Sequence, residues 1–523
     1  MKNKKNGFTL IELLAVIIVL AIIALIATPI IFNVIENAKI KSLENSCYGV
    51  IDAIRTKYAE GLLNLNKITN GNVNELTVSG EKPIDGTWTI DNSKDSEQRG
   101  IKIDNVRFSS MKDYACSNDL ETGKVSCKKT YKDNSSANTP ILFKNMVPIK
   151  YENNKWIIAD LGQKWYDYDA KEWANAVVLN SGVTKNVGDE VTEEEISLWY
   201  VWVPRYKYTI FNGNNGSAAT QLINVTFESG VSRTGTVTCT DNADGSETCS
   251  TITNGTSTYT HPAFKFGNTE LTGFWVGKFE ISTTDSACNS SATRANCNKV
   301  LTMSIKPNVS SWRYATISNH FTSIQNAKTT YGISNADSHM MKNMEWGAVA
   351  YLKQSKYGLG TTDIAVNTNS SYYTGGGTSD AYKTNVAQST TGNIYGVYDM
   401  SGGAWERVMG NMKNSRNAFY SSNAGFTTAP DAKYYDSYKY DTSNTSHVRG
   451  KLGDATKETL ATFGNTSGGW YSDYAYFPDS SRPWFVRGGG YNRGTDAGVF
   501  HFNGSYGGDY DINDSARAVL SAP

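Results

Sequence analysis

The sequence predicts an α+β protein with one long N-terminal helix, a small antiparallel β domain and a larger C-terminal α+β domain. Three observations carry this. An apolar run from Phe8 to Phe32 passes into a helix-spaced amphipathic stretch that reaches about Asn64. Short alternating patterns punctuated by Gly, Asn and Asp follow through residues 66–198. From Trp199 onward come aromatic strands, two helical stretches and long Gly/Ser/Asn/Thr loops. The 523 residues are enough for several domains. They carry 50 Lys+Arg against 50 Asp+Glu, a formal net charge of zero. That balance argues against a polybasic nucleic-acid binder or an acidic tail, so no nucleic-acid partner is expected. Aromatics recur throughout, 31 Tyr and 12 Trp among them, which argues against disorder.

The first element is the most specific. From Phe8 to Ile35 the only charge is Glu12. A helix over 8–32 measures roughly 37 Å at 1.5 Å per residue, enough to cross a hydrocarbon core of about 30 Å. Lys2, Lys4 and Lys5 flank its start and favour a cytoplasmic leader. A secretory signal with its apolar stretch at Leu13–Ile26 and cleavage near Ala27 is one alternative, and a plain retained anchor is another. Neither accounts for Glu12, which costs about 2.5–3.5 kcal/mol if left unpaired at mid-membrane. Pro29 lacks an amide hydrogen, so a kink or local unwinding is expected there. Beyond it Ile31, Val34, Ile35, Ala38, Ile40, Leu43, Val50, Ile51, Ile54, Tyr58, Leu62 and Leu63 keep a near-helical spacing. The whole rod would be roughly 85 Å long, with a second half that needs a globular cover.

Gly7-Phe-Thr-Leu-Ile-Glu-Leu13 with the downstream Pro29 resembles the class III signal of type IV pilins and pseudopilins. The resemblance implies a leader at 1–7, cleavage by a prepilin peptidase after Gly7, and Phe8 as the N-methylated first residue of the mature chain. It implies that Glu12 pairs with the Phe8 amine of a neighbouring subunit, so Phe8, Glu12 and Pro29 serve filament assembly. Other pilin subunits and the prepilin peptidase are then the expected partners. The chain would sit in the cytoplasmic membrane before assembly and at the cell surface afterwards.

Residues 33–65 continue the helix, and 66–198 read as the β domain with connecting hairpins. Glu75–Val78, Thr87–Ile90, Ile101–Ile103 and Val106–Phe108 are its strands, packed on Ile51, Ile54 and Tyr58. Asn153-Asn154 reads as a turn. Lys164–Val177 reads as an aromatic hairpin, either a stacking surface for sugars or an aromatic mini-core between domains. The seven cysteines fall into three local pairs, Cys116/Cys127, Cys239/Cys249 and Cys288/Cys297, with Cys47 left on the rod. Each pair brackets a polar turn, and no Cys-x-x-Cys or His spacing suggests zinc. Three hairpin-closing disulfides in an oxidising place are expected.

In the C-terminal part, Phe274–Ile281 reads as a strand carrying a buried Glu280. Ile317–Lys328 and Asp337–Lys353 read as helices. Asn393-Ile-Tyr-Gly-Val-Tyr-Asp-Met400 leads to Gly402-Gly-Ala-Trp405-Glu406, and Val486-Arg487-Gly-Gly-Gly490-Tyr491 opens the terminal segment. In that order these motifs, over 199–523, resemble the formylglycine-generating (sulfatase-modifying factor) family, a branch of the C-type lectin fold. Gly403 stands where that family has asparagine, and Gly490-Tyr491 where it has Ser-Trp. Its oxidase members act through a cysteine pair in their last stretch, whereas the last cysteine here is Cys297. No thiolate is available there for copper or redox work, so an enzyme is not expected and a degenerate relative is the third reading. Asp399, Trp405, Glu406 and Arg487 are expected to keep the fold. No metal or other cofactor is expected. Calcium near Asn393 or Asp399 is the alternative the fold leaves open, against the need for about six oxygen ligands.

The terminal segment alternates apolar anchors with polar side chains. Ala497, Val499 and Ile512 are expected inward. Tyr491, Asn492, Arg493, Asp496, His501, Asn503, Tyr506, Asp509, Tyr510, Asp511 and Asn513 are expected at a ligand-binding surface. Tyr, Asn and Asp on loops give rigid stacking area with directional hydrogen bonds. The segment also resembles the variable region of lectin-fold proteins diversified by retroelements. The reading that follows is a surface filament subunit, minor or at the tip, with a pilin-type helix, a small β domain and a C-type-lectin-like head binding an extracellular glycan or protein. A pseudopilin of a secretion or DNA-uptake machine is the runner-up.

Overall fold

A long run of good helix formers with two differently spaced apolar patterns produces one helix, Leu10–Leu63. In the computed structural model the described residues are 10–63, 68–90, 100–421, 423–505 and 507–522, with the backbone alone at 11, 12, 20–30 and 32. Gly7, Phe8 and Tyr506 lie outside them, as do the side chains of Glu12 and Pro29. The helical span is not interrupted at Pro29. Among the described residues, no helix is long and apolar enough to cross a membrane. The stretch in which the sequence is most apolar falls largely on side chains outside that description.

The chain divides between Lys129 and Thr130 into two units. In the first, Leu43, Cys47, Val50, Ile51 and Ile54 recur at three- and four-residue steps and are buried. They share a core with Trp88, Ile103, Val106 and Phe108, while Tyr58 packs at its margin. Leu62 and Leu63, grouped by spacing with this stripe, are exposed instead. The sheet is antiparallel, in the order Asn70–Asn72, Pro83–Ile90, Ile101–Phe108, Tyr114–Asn118 and Val125–Lys129. Register shifts flank Asp85, where Gly86 takes φ +120°, and a Cβ there would meet the Val106 backbone at 2.7 Å. A glycine is what this bulge requires. The strand expected at Glu75–Val78 is absent among the described residues. Val73–Glu75 form a 3₁₀ turn, because the buried Val73 and Leu76 are spaced for one turn rather than for alternation.

The second unit is built on a seven-stranded antiparallel sheet. Its order is Asp337–Met340, Ala518–Ser521, Gly273–Gly277, Ile196–Pro204, Asn175–Leu179, Met146–Glu152 and Lys155–Ile158. Three of these strands come from 146–179, which the sequence analysis groups with the β domain at 66–198. Their hydrogen-bonded ladder to Ile196–Pro204 places them with the larger unit instead. Asn153 and Asn154 turn between two of them at φ 53° and 62°. Trp165, Tyr166, Tyr168 and Trp173 of the aromatic hairpin are buried in this unit's core. They are part of one domain's interior rather than a seam between domains or an open platform.

Helix Ile317–Thr330 follows a Thr316 cap whose side chain accepts from Asn319 N. The helix expected over 337–353 is shorter. Asp337–Met340 pairs with Ala518–Ser521, and the helix spans Asn343–Lys353, where the Glu345 carboxylate accepts from Lys342 N at 2.8 Å. A second, mixed sheet joins Asp436–Tyr438, Trp405–Met412, Trp484–Gly488 and Gly498–Ser505, with Asp514–Ala516 alongside Trp405–Met412. The whole is α+β and mostly β.

Candidate functional site

The terminal segment leaves the mixed sheet at Gly488 and re-enters it at Gly498. Between them Asn492, Arg493 and Asp496 are exposed and Tyr491 is half-buried. Gly490 passes so close to Trp405 that a Cβ would sit 2.4 Å from the indole nitrogen, which excludes the Ser of the resembled motif. Gly403, at φ +69°, would likewise bring a Cβ to 2.7 Å from Glu280 Oε1. The Arg493 guanidinium lies over the half-buried Trp405 ring, 4.8 Å from its centre.

A second chain of contacts runs beside this. The Arg313 guanidinium stacks on Tyr372 at 3.8 Å, and Tyr372 meets Tyr491 edge-on at 4.9 Å. Tyr372 donates its hydroxyl to Asn513 Oδ1 at 2.6 Å. Asn513 in turn donates from its amide nitrogen and its backbone to Asp511 Oδ1 at 3.0 and 2.8 Å. Arg313 also donates to Ile512 O at 2.7 Å, and Trp405 N to Asn513 O at 2.8 Å. Further along, Arg294 stacks on Tyr510 at 4.0 Å and donates to its hydroxyl at 2.8 Å. Arg294 is carried by the loop that the Cys288–Cys297 disulfide closes. Asp509 is half-buried and its carbonyl accepts from Arg407, whose Nε donates to Asp514 at 2.8 Å. Burial pushes the Asp514 carboxyl up to about 6, against the pull of Arg407.

Three expectations on the segment are corrected. His501 and Asn503 are buried, 1% and 9% exposed, because the strand Gly498–Ser505 is covered on both faces. His501 is enclosed by Trp405 and Tyr474. Burial holds its ring down to about 3, so neutral Nδ1–H donates to Asp496 O at 2.7 Å. Asn503 turns its side-chain oxygen onto Gly504 N at 2.8 Å. Ile512, expected inward, is 46% exposed, because the Asp511–Asn513 turn points it out. Ala497 and Val499 are buried.

The surface therefore brings together Tyr491, Arg493, Asp511 and Asn513, with Tyr510 and Arg294 beside them. Arg313 and Tyr372, from other parts of the chain, were not singled out by sequence, and no local spacing marks them. Trp405, half-buried, lies beneath Arg493 here. Asp399, Glu406 and Arg487 are interior. Glu406 is paired with Arg517 through two hydrogen bonds, one of 2.8 Å, and Arg487 donates to Ala455 O at 3.0 Å. Burial pushes Glu406 up to about 7 despite Arg517. Glu280, 1% exposed, accepts from Ala404 N at 3.0 Å.

The oxygens weighed for calcium already hold protein donors. Asp399 accepts from Gly375 N and Asn367 Nδ2. Asn393 Oδ1 accepts from Thr391 and Tyr395. The three expected disulfides, Cys116–Cys127, Cys239–Cys249 and Cys288–Cys297, are formed, and Cys47 is free and buried.

Residues 2–28 match the model of the prokaryotic N-terminal methylation motif. The chain is 31% identical over 116 residues to prepilin peptidase-dependent protein A of Clostridium perfringens (strain 13 / Type A), covering 20% of this chain and 83% of that protein. Among solved structures it is similar to Treponema denticola variable protein 1, at 12% identity and a TM-score of 0.24, over 64% of this chain and 98% of that one. It is also similar to the Major Tropism Determinant U1 variant, at 12% identity and a TM-score of 0.24, over 85% and 82%. At that TM-score neither structure bears on the fold. The methylation signal and the relative identify the chain, through its N-terminal part, as a member of the prepilin peptidase-dependent proteins, a type IV pilin- or pseudopilin-like surface or secretion subunit.

Proposed function

We propose that this subunit is a minor or tip component of a type IV pilus-like filament and that its large unit is a lectin-like adhesion head. The N-terminal helix anchors the subunit in the cytoplasmic membrane until assembly and then packs among sibling helices, with Glu12 of one subunit against the Phe8 amine of the next. The head binds an extracellular glycan or protein and performs no catalysis. The observation supporting a recognition role is the ordered patch of Tyr491, Trp405, Arg493, Asp511 and Asn513, supported from beneath by the buried Arg313 and Tyr372. Its aromatic and guanidinium planes are already stacked, and Asn513 is already held by hydrogen bonds with Tyr372 and Asp511, so little side-chain entropy remains to be lost on binding. The bulk of the second unit fits an occasional subunit better than one repeated along a thin fibre.

The test uses the full chain in detergent on glycan and protein arrays, together with adhesion by cells that display it. Tyr491→Ala combined with Arg493→Ala is expected to abolish the strongest array signal and lower adhesion at least tenfold while leaving surface display unchanged. Adhesion equal to that of the unsubstituted protein would overturn the recognition role. Immunogold label on external fibres is expected; its confinement to the envelope would favour a pseudopilus.

A further inference from the structure

The first unit holds a cluster of sulfur atoms that neither assembly nor recognition uses. Cys116 and Cys127 face each other across the antiparallel strands Tyr114–Asn118 and Val125–Lys129 and are joined. Cys47 arrives from the helix Leu10–Leu63, on the same inward stripe as Leu43, Val50, Ile51 and Ile54. The three sulfurs lie within 4.8 Å of one another, all buried. Six of the seven cysteines are paired, and the one free thiol is set against a disulfide it could attack.

We propose that Cys47, Cys116 and Cys127 form a covalent exchange site in which three cysteines share one disulfide, so that the bond can pass from the hairpin to the helix. In this step Cys47 Sγ, as thiolate, attacks the sulfur of Cys116 or Cys127. A bond forms between helix and sheet, the Cys116–Cys127 bond breaks, and the displaced sulfur leaves as thiolate and takes up the proton that Cys47 gave up. Two electrons move within the trio, and no external oxidant or reductant is consumed. When a low-molecular-weight thiol opens the hairpin bond and remains as a mixed disulfide on either cysteine, the same attack expels it and restores an internal bond.

Two physical features keep the exchange in reserve. Burial, with the Glu44 carboxylate adding to it, pushes the Cys47 thiol up to about 12, so the attacking thiolate is scarce while the helix lies on the sheet. The packing around the trio, including Val50, Val106 and Val125, also shields the bond from solvent thiols. The bond therefore rests on the hairpin and moves when this unit opens locally. The product ties the helix covalently to the sheet on which it packs.

The test is peptide mapping of the full chain in detergent. The protein is incubated with glutathione, quenched in acid, unfolded, labelled with N-ethylmaleimide, digested and analysed by mass spectrometry. Before incubation the label is expected on Cys47 alone. Afterwards it is expected also on Cys116 or Cys127, with Cys47 found in a disulfide to the other. Label that stays on Cys47 alone, or glutathione retained on Cys116 or Cys127, overturns the proposal. Cys47→Ser is expected to accumulate that glutathione adduct at least tenfold over the unsubstituted protein; equal amounts overturn the proposal.

Discussion

Glu458 shows what burial does to a single side chain here. It is fully buried, and Oε2 accepts from Gly453 N at 2.7 Å and from the Tyr208 and Tyr351 hydroxyls at 2.9 Å. Desolvation nonetheless outweighs these three donors and pushes the carboxyl from 4.5 up to about 7. The folded state then binds this proton more tightly than the unfolded chain does. The contribution is full below about pH 4.5, the unfolded value, and is lost as pH rises through 7. Its size is about 3 kcal/mol at about 1.4 kcal/mol per unit. Glu458→Gln is expected to flatten the fall in stability between those pH values, as read from urea denaturation series across that window. At this scale sequence reached the buried members of the resembled motifs, Asp399, Glu406 and Arg487. It did not find Arg517, the partner that satisfies Glu406, because the two are 111 positions apart and meet only when Asp514–Ala516 pairs with Trp405–Met412.

The elements were legible where their pattern was local. The helix spacing that placed Ile51 and Ile54 inward is the spacing seen, and the cysteine pairs needed only hairpins to meet. Ile54→Ala removes a fully buried side chain from the core shared with Trp88 and Val106. It is expected to destabilise the first unit by about 2–5 kcal/mol, seen as earlier proteolysis of residues 10–129 on a urea gradient. Leu62→Ala, on an exposed residue of the same helix, is expected to change little. Period-two reading failed for Gly498–Ser505 because it assumes one wet face, and this strand has none. The helical reading failed at Asp337–Met340, whose residues fit a helix as well as a strand until Ala518–Ser521 lies beside them.

For the molecule as a whole, the N-terminal signal was readable because processing depends on a short contiguous motif. Gly7→Leu is expected to block removal of the leader, so that intact mass includes residues 1–7 while the unsubstituted protein begins at Phe8; equal masses would remove the processing assignment. The division of the chain was not readable in the same way. The texture changes at Trp199, but the hydrogen-bonded ladder reaches back to Met146, and composition carries no trace of which strand pairs with which. The same limit hid the buried Arg313 and Tyr372, which reach the terminal segment at Ile512, Asn513 and Tyr491 from distant parts of the chain.

The place of Ala518–Ser521 between Gly273–Gly277 and Asp337–Met340 bears on how the second unit is made. A ribosome delivers this strand long after both of its neighbours. Until it arrives, the two stand with a gap between them and their amide edges bare, an invitation to stray pairing. Closure of the large sheet is therefore a late event in the life of each newly made chain.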